Sequence, residues 1–222
     1  MAAMKRFEII TEEVARDLEP GSTVELTRDG QVTPLARDTL SARRVTVVRQ
    51  GELGADELTR AATREIRVVA VGADHTGVDL KREVLAHLRS RGLTARDLGT
   101  HSSDRVDYPD VAADVARAVA RGDADAGVVI DGAGVGSAVA ANKITGIRAV
   151  MATEPLVARY AREHVGVNVL TLGATLVDAR RAAEVVDAWL SAAMGEARYL
   201  RRVAKIQRLE QPGAAGSGRS GR

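Results

Sequence analysis

The sequence predicts an α/β fold, a three-layer sandwich around a mainly parallel five-stranded sheet, preceded by a small N-terminal α+β module. From Ile66 onward, short runs rich in Val, Ile and Ala alternate with segments of helical periodicity. The apolar runs are nearly continuous, as in strands buried on both faces of a parallel sheet. A glycine-rich loop follows the run Gly127–Ile130. Strands separated by helices in this way are typical of a parallel sheet covered on both sides.

The first 65 residues are predicted to form a small module followed by a linker. Pro34, after Thr33, is a typical first residue of a helix, and Thr11 is a typical helix cap. One helix is therefore expected from Pro34 to about Leu40, and another, capped by Thr11, to about Leu18. Alternating or apolar runs predict three strands, at Phe7–Ile10, Thr23–Thr27 and Arg44–Arg49, and the polar stretch Gly51–Glu65 is predicted to be the linker.

Residues 66–210 are predicted to form the main domain, and residues 211–222 a disordered tail. Five strands are expected in the main domain, at Arg67–Val71, Thr94–Leu98, Gly127–Ile130, Arg148–Ala152 and Asn168–Leu172. Helices are expected between and after them: one ended by Gly92, one opened by Tyr108-Pro109, a short one from about Ser137, and then Glu154–Glu163, Asp178–Met194 and Ala197–Leu209. The tail is rich in Gly, Ser and Arg, a composition typical of flexible chain.

Composition excludes several classes of protein. The 222 residues include 32 basic and 30 acidic side chains and only 2% aromatics, so neither a strong positive field nor stacking platforms indicate nucleic-acid binding. The chain has no cysteine, which excludes disulfides, thiolate metal sites and a thiol nucleophile. No apolar run has membrane-spanning length, and the N-terminus lacks a signal-peptide core. We therefore expect a cytoplasmic protein.

The most informative stretch is the strand, loop and helix that follow Gly127. Asp131 closes the apolar strand, and a loop with three glycines leads to the helix expected at Ser137. Unblocked backbone N–H groups and the helix dipole make such a loop an anion site. Ser137 stands where a dinucleotide fingerprint needs its third glycine, so that motif is not present. Two simpler interpretations remain open: the glycines serve a tight turn, and Asp131 caps the loop.

Several further motifs occur in order along the main domain. They are GADHTG (Gly72–Gly77), DYPD (Asp107–Asp110), the segment Asp131–Lys143 ending in AANK, GIRAV (Gly146–Val150), AREH (Ala161–His164), NVL (Asn168–Leu170) and RYLRRV (Arg198–Val203). Together they resemble the ribose-5-phosphate isomerase B family, which includes galactose-6-phosphate and allose-6-phosphate isomerases. The resemblance covers about Ile66–Glu210. It implies a Rossmann-like homodimer, or a dimer of dimers, with active sites shared between subunits and with neither metal nor cofactor.

The resemblance also implies a reaction, aldose–ketose isomerisation within the pentose phosphate pathway and carbohydrate metabolism. Ribose 5-phosphate and ribulose 5-phosphate are the expected pair of sugar phosphates. The ring opens, and a base moves a proton between two adjacent carbons through an enediolate. Asp131 stands where the family commonly has a cysteine, and we expect it to be this base. An ordinary aspartate, with a pKa of about 4, is a weak base, so the cap interpretation of Asp131 stays open beside it.

The resemblance assigns roles to the other motif residues. His164 is expected to open the ring, although a histidine at a helix C-terminus is also favoured by the helix dipole. Asp74 and His75 are expected at the sugar. Arg198 and Arg202, four apart on one helix face, are expected to reach from the partner subunit and grip the phosphate, unless they are part of a solvated basic face. The remaining expected substrate-binding residues are Tyr108, Gly132, Ala133, Gly134, Gly136 and Ser137, with the backbone N–H groups of 133–137 stabilising the oxyanion.

Departures from the family pattern define the alternative function. Asp131 replaces the cysteine and Ser137 stands where some members have a glutamate base. A hydroxyl residue, an asparagine, an arginine and a histidine are replaced by Ala133, Val165, Thr175 and Tyr199. The alternative is therefore an isomerase-like protein that binds sugar phosphates with impaired catalysis. The stretch Thr33–Val48 more faintly resembles a segment of enzymes associated with bacterial microcompartments, which implies that residues 1–65 contact a shell or another enzyme.

Overall fold

The computed structural model describes residues 5–49, 65–194 and 196–210. These residues form two sheets, one of three strands and one of five, and every recorded strand pair is parallel. The predicted α/β class is therefore confirmed. The predicted linker, apart from Glu65, and the predicted disordered tail lie outside the described residues.

The three-stranded sheet belongs to the N-terminal module. Its strands β1 (Arg6–Ile10), β2 (Thr23–Val32) and β3 (Thr46–Arg49) lie in the order β1-β2-β3, with α1 (Glu12–Asp17) and α2 (Pro34–Ala42) as the connecting helices. Thr11 and Thr33 cap the two helices as predicted, each accepting a backbone N–H on its hydroxyl oxygen at 3.4 Å. A separate core fills this module.

Strand β2 is longer than the sequence predicted. It continues past Thr27 to Val32. Its pairing with β1 is irregular, because Phe7 lies opposite Leu26 whereas Ile9 lies opposite Gln31. The extra residues on β2 form a bulge, which the alternating pattern up to Thr27 does not reveal.

The five-stranded sheet, here called the large sheet, forms the main domain. Its order is β5-β4-β6-β8-β7, with strands β4 (Val68–Ala73), β5 (Thr94–Asp97), β6 (Ala126–Asp131), β7 (Ala149–Met151) and β8 (Val169–Gly173). The helices are α3 (Val78–Ser90), α4 (Tyr108–Ala120), α5 (Val135–Ala141), α6 (Pro155–Val165), α7 (Ala179–Leu190) and α8 (Ala197–Leu209). The strands begin at what we call the amino edge and end at the carboxyl edge.

Helices cover both faces of the large sheet. One core contains side chains of α3, α6 and α7, including the fully buried Trp189, and the other contains side chains of α4 and α5. Helix α4 lies very close to the sheet, since a Cβ atom added to Gly127 would come within 2.6 Å of Val115. The three-layer sandwich is thus confirmed, and the domain boundary near residue 65 stays a prediction.

A buried lysine ties α3 to the loop after β5. Lys81 is 1% exposed, and its Nζ donates to Asp97 Oδ1 and to the carbonyl oxygen of Thr100, each at 2.6 Å. Burial raises the pKa of Asp97, but hydrogen bonds from Lys81 and the Gly99 N–H, with the charges of Lys81 and His101, outweigh burial and hold it below its ordinary value. The loop beside the end of β4 therefore depends on a half-buried ion pair, in which Lys81 is buried and Asp97 faces solvent.

Replacing Lys81 by methionine is expected to lower the free energy of unfolding by about 2 kcal/mol at pH 7, because methionine cannot make the charge-assisted hydrogen bonds to Asp97 and to the Thr100 carbonyl. Asp97 has a lowered pKa, so its contribution is present above about pH 4 and is lost as pH falls through the folded-state value. The deficit of the variant should therefore shrink below pH 4. Urea unfolding at pH 7 and pH 3.5 measures both effects, with the exposed Lys205→Met as control. Equal losses in the two variants would contradict the assignment.

Candidate active site

Two buried aspartates lie at the ends of neighbouring strands, at the carboxyl edge of the large sheet. Asp74 follows β4, Asp131 ends β6, and the Asp74 N–H donates to the carbonyl oxygen of Ile130 at 3.0 Å. Their exposed fractions are 6% and 5%. The chain leaves β4 toward β5 on one side, and β6 lies on the other, so this is the switch point at which open α/β sheets bind ligands.

The carboxylate of Asp131 binds the glycine loop, residues 132–136, and the start of α5. Oδ1 accepts the N–H of Ala133 at 2.7 Å and that of Gly134. Oδ2 accepts the Ser137 N–H at 3.0 Å and the Ser137 hydroxyl. A carboxylate has about four acceptor sites, and these bonds use all of them. The bonds alone account for Asp131 as a cap of the loop, the alternative to a catalytic role.

The glycine loop owes its shape to one left-handed residue. Gly134 has φ of 75° and is the residue before α5, so the helix begins at Val135 rather than at the predicted Ser137. Ser137 is therefore in the first turn of α5 and fully buried. A Cβ on Gly136 would lie 2.6 Å from the ring of Tyr108, so this ring packs directly on the loop. The structure thus brings Tyr108 to the loop residues with which the sequence grouped it.

Two threonines that the sequence analysis did not assign hold the loop from β8. The Thr171 hydroxyl donates to the carbonyl oxygen of Gly134, and the Thr175 hydroxyl to that of Gly132, both at 2.6 Å. Thr175 stands where the family usually has an arginine, and its side chain here binds the loop. The signal that could have identified them is in the sequence: one threonine lies within the strand that ends at the switch point, and another lies just after it.

Asp74 and His75 lie on the other side of the switch point. Asp74 Oδ1 accepts the Thr76 N–H at 2.8 Å and the Thr76 hydroxyl at 2.5 Å, which fixes the carboxylate. The Nδ1 atom of His75 is buried, and no group in the described part of the chain forms a hydrogen bond with it. A buried polar atom of this kind needs a partner, and a bound ligand would supply one.

The other predicted site residues form a second group. The ring of His164 stacks on Tyr160, with centroids 4.8 Å apart and planes at 19°. It also packs at a tilt against Tyr199, with centroids 4.5 Å apart and planes at 31°. The guanidinium carbons of Arg198 and Arg202 lie 4.7 and 5.7 Å from the centre of the Tyr199 ring. His164 therefore belongs with the two arginines.

Arg198 also forms an ion pair with Glu196, the residue just before α8. Its Nε lies 2.7 Å from Glu196 Oε2, and its Nη2 donates to the hydroxyl oxygen of Tyr199 at 2.9 Å. The charge of Glu196 raises the pKa of the Arg198 guanidinium above its ordinary value. Arg198 is thus a fixed cation at the surface.

The segment after His164 is anchored by buried groups. The carbonyl oxygen of Val167 accepts the indole N–H of Trp189 at 3.1 Å and Nη1 of Arg162 at 2.9 Å. Burial, with the charge of Arg148 as the smaller cause, lowers the pKa of Arg162 to about 10, so this guanidinium stays protonated at neutral pH. His164 therefore lies just before a turn at the amino edge that these buried hydrogen bonds stabilise.

The two groups lie at opposite edges of the large sheet. Asp131 is paired with Gly173 at the end of β8, whereas His164 precedes the start of β8 at Val169. Strand β8 spans about 13 Å at roughly 3.3 Å per residue. The carboxyl-edge group and the group of His164, Arg198 and Arg202 are thus separated within one chain by the length of the strand.

The described ranges also bear on metal binding and on membrane insertion. Within them, no three or more His, Asp or Glu side chains are arranged to hold a metal ion. No helix of those same ranges combines the length and the apolar character needed to cross a bilayer.

The fold and the switch-point loop define a doubly wound α/β protein, a class whose ligands generally bind at the carboxyl edge of the sheet. The chain belongs to the ribose/galactose isomerase family, whose model matches residues 69–206. It is 47% identical over 146 residues to ribose-5-phosphate isomerase B of Escherichia coli, covering 66% of this chain and 98% of that protein.

Solved structures agree with this assignment. Ribose-5-phosphate isomerase B of Clostridium thermocellum is 44% identical, with a TM-score of 0.63 over 64% of this chain and 97% of its own. The enzyme of the same name from Mycoplasma genitalium, solved with bound ribulose-5-phosphate, is 36% identical, with a TM-score of 0.63 over 66% of this chain and 98% of its own. The resemblance read from the sequence motifs is confirmed.

Proposed function

We propose that this protein is an aldose–ketose isomerase that interconverts ribose 5-phosphate and ribulose 5-phosphate. The observation that carries the proposal is the pair of buried aspartates at the switch point, Asp74 just after β4 and Asp131 bonded to the glycine loop. This pair lies inside the residues that match the isomerase family. The match to a relative named ribose-5-phosphate isomerase B supports the choice of sugar.

The proposed chemistry moves one proton between two carbons and a second between the oxygens that these carbons carry, and it consumes no other reagent. After the ring opens, a base takes the proton from the carbon beside the aldehyde, which forms an enediolate, and returns it to the former aldehyde carbon. We assign Asp131 as this base, through Oδ2. The Ser137 hydroxyl must rotate away to free a lone pair, and the three remaining N–H bonds keep the carboxylate in place.

The oxyanion of the enediolate needs donors that Asp131 has not already taken. The N–H groups of Ala133, Gly134 and Ser137 are bound to Asp131. By helix geometry, the N–H groups of Val135 and Gly136 have no acceptor within α5. We assign these two as the oxyanion donors, which narrows the range 133–137 expected from the sequence. Asp74 and His75 are assigned to the sugar hydroxyls on the β4 side.

The site we propose is composed of two chains. His164, Arg198 and Arg202 lie at the amino edge of their own large sheet, so they cannot reach the Asp131 of the same chain. A second copy supplies them in a homodimer, His164 to open the ring and the arginines to bind the phosphate. The sequence resemblance assigned only the two arginines to the partner subunit. Because His164 packs against Tyr199, which also contacts both arginines, we assign the histidine to the partner subunit as well.

Exposed apolar side chains support a second copy as the partner. Helices α5 and α6 and the turn after β8 carry large apolar residues that are about half exposed, namely Val135, Val139, Leu156, Val157, Tyr160 and Leu176. A group of this kind is typical of a protein–protein interface. If two copies bury these side chains between them, the same contact removes the exposed apolar surface and completes the site.

The test is a turnover assay on purified protein with ribose 5-phosphate, read by the appearance of ribulose 5-phosphate. We expect interconversion in both directions, with a size-exclusion mass of at least a dimer. A dimer without turnover of either sugar would contradict the proposed function.

One observation favours a second candidate function, binding of sugar phosphates without turnover. All acceptor sites of Asp131 are already bonded, and a saturated carboxylate is a poor base. This candidate predicts that ribose 5-phosphate raises the melting temperature while the assay stays silent. Docking of residues 1–65 to a microcompartment shell or another enzyme is compatible with either candidate and stays a proposal.

A further inference from the structure

One tyrosine contacts both the histidine and an arginine of the amino-edge group. The ring of Tyr199 packs against His164 with centroids 4.5 Å apart and planes tilted by 31°, and its hydroxyl oxygen accepts a hydrogen bond from Nη2 of Arg198 at 2.9 Å. We propose that Tyr199 is a positioning residue that fixes the His164 imidazole through its ring and the Arg198 guanidinium through its hydroxyl. The proposal rests on the isomerase function assigned above.

The ring of Tyr199 is the second aromatic ring packed on the imidazole. Tyr160, one turn before His164 on α6, stacks on the imidazole at 4.8 Å, and Tyr199 of α8 packs against it at 4.5 Å with a tilt of 31°. Two aromatic neighbours at these distances restrict the rotation of the imidazole. A restricted ring keeps its nitrogen atoms in one direction, which a general acid–base group requires to meet the ring oxygen of a sugar.

The hydroxyl of Tyr199 acts on the neighbouring cation. Arg198 is held between this hydroxyl and the carboxylate of Glu196, and its guanidinium carbon lies 4.7 Å from the Tyr199 ring centre. Arg202 lies over the same ring at 5.7 Å. A planar guanidinium binds phosphate well only when its donors are oriented, so the hydroxyl bond affects binding rather than proton transfer.

These two functions of Tyr199 are separable by substitution. Tyr199→Phe keeps the ring and removes the hydroxyl, and we expect a KM for ribose 5-phosphate about 3- to 10-fold higher with kcat within about two-fold of wild type. Tyr199→Leu removes the ring as well, and we expect kcat to fall at least about 10-fold. Tyr160→Leu is the matched control, because it removes the other aromatic ring packed on His164: it should lower kcat and leave KM unchanged.

A spectroscopic readout separates this proposal from the isomerase assignment. The ring protons of His164 should resonate upfield in wild type and in Tyr199→Phe, because two aromatic rings pack against them. They should move toward the free-histidine position in Tyr199→Leu. Binding of inorganic phosphate should weaken in Tyr199→Phe, even in a protein without turnover. Equal His164 shifts and equal phosphate affinities in wild type and both Tyr199 variants would overturn the proposal. A silent turnover assay with these differences intact would overturn only the isomerase function.

Discussion

Replacing Asp131 by asparagine is expected to lower kcat by roughly a thousand-fold, the range of a lost general base. Asparagine has no carboxylate lone pair to accept the proton from carbon. Its NH₂ group must also face N–H donors, from Ser137 on one side or from Ala133 and Gly134 on the other, where the carboxylate accepted four hydrogen bonds. We therefore expect a lower melting temperature as well, measured beside kcat.

A second variant separates the base from the cap. Asp131→Cys restores the residue that the family commonly has, and a thiolate can take the proton but accepts hydrogen bonds weakly. If Asp131 is the base, this variant should be more active than Asp131→Asn, with an optimum shifted to higher pH because an ordinary thiol has a pKa of about 8.5. If the two variants are equally inactive and equally destabilised, Asp131 is a loop cap and the binding function becomes the better account.

Removing both arginines of α8 is expected to raise KM by about a hundred-fold or more, since each charge-assisted bond to phosphate contributes about 1.5–3 kcal/mol. The variant is Arg198→Ala with Arg202→Ala. The proton transfer at the other edge is untouched, so kcat at saturation should change much less. The matched control, Arg201→Ala with Lys205→Ala, removes two exposed charges at the same spacing on the adjoining part of the α8 surface. Equal effects of the two pairs on KM would mean that only net charge matters.

Much of the fold followed from local pattern. The continuous apolar runs, the Thr caps and Pro34 predicted strands and helix starts that the structure contains, because burial on both faces and capping leave direct marks in sequence. The start of α5 was placed two residues late. Its position depends on the left-handed backbone of Gly134, which loop contacts with β8 impose and which glycine alone does not specify.

The sequence named candidate site residues, which stay a prediction, and it revealed little of how the structure arranges them. The motifs named the residues, but the bonds from Ala133, Gly134 and Ser137 to Asp131 are a tertiary result, and they occupy donors expected to serve the substrate. The separation of His164 from Asp131 could have been predicted from the sequence, because the helix that connects two parallel strands ends at the amino edge. The contact of Tyr199 with His164 joins distant segments and had no local signal.

The central claim is that each active site combines the carboxyl edge of one chain with the amino edge of another. Mixing Asp131→Asn subunits with Arg198→Ala, Arg202→Ala subunits tests it, after a dissociation step that lets them exchange. At equal amounts, half of the dimers carry both kinds of subunit, and each of these has one intact site. We predict that the mixture recovers about a quarter of wild-type activity at low substrate concentration. A mixture no more active than its separate components, with exchange shown by mass, would contradict the claim.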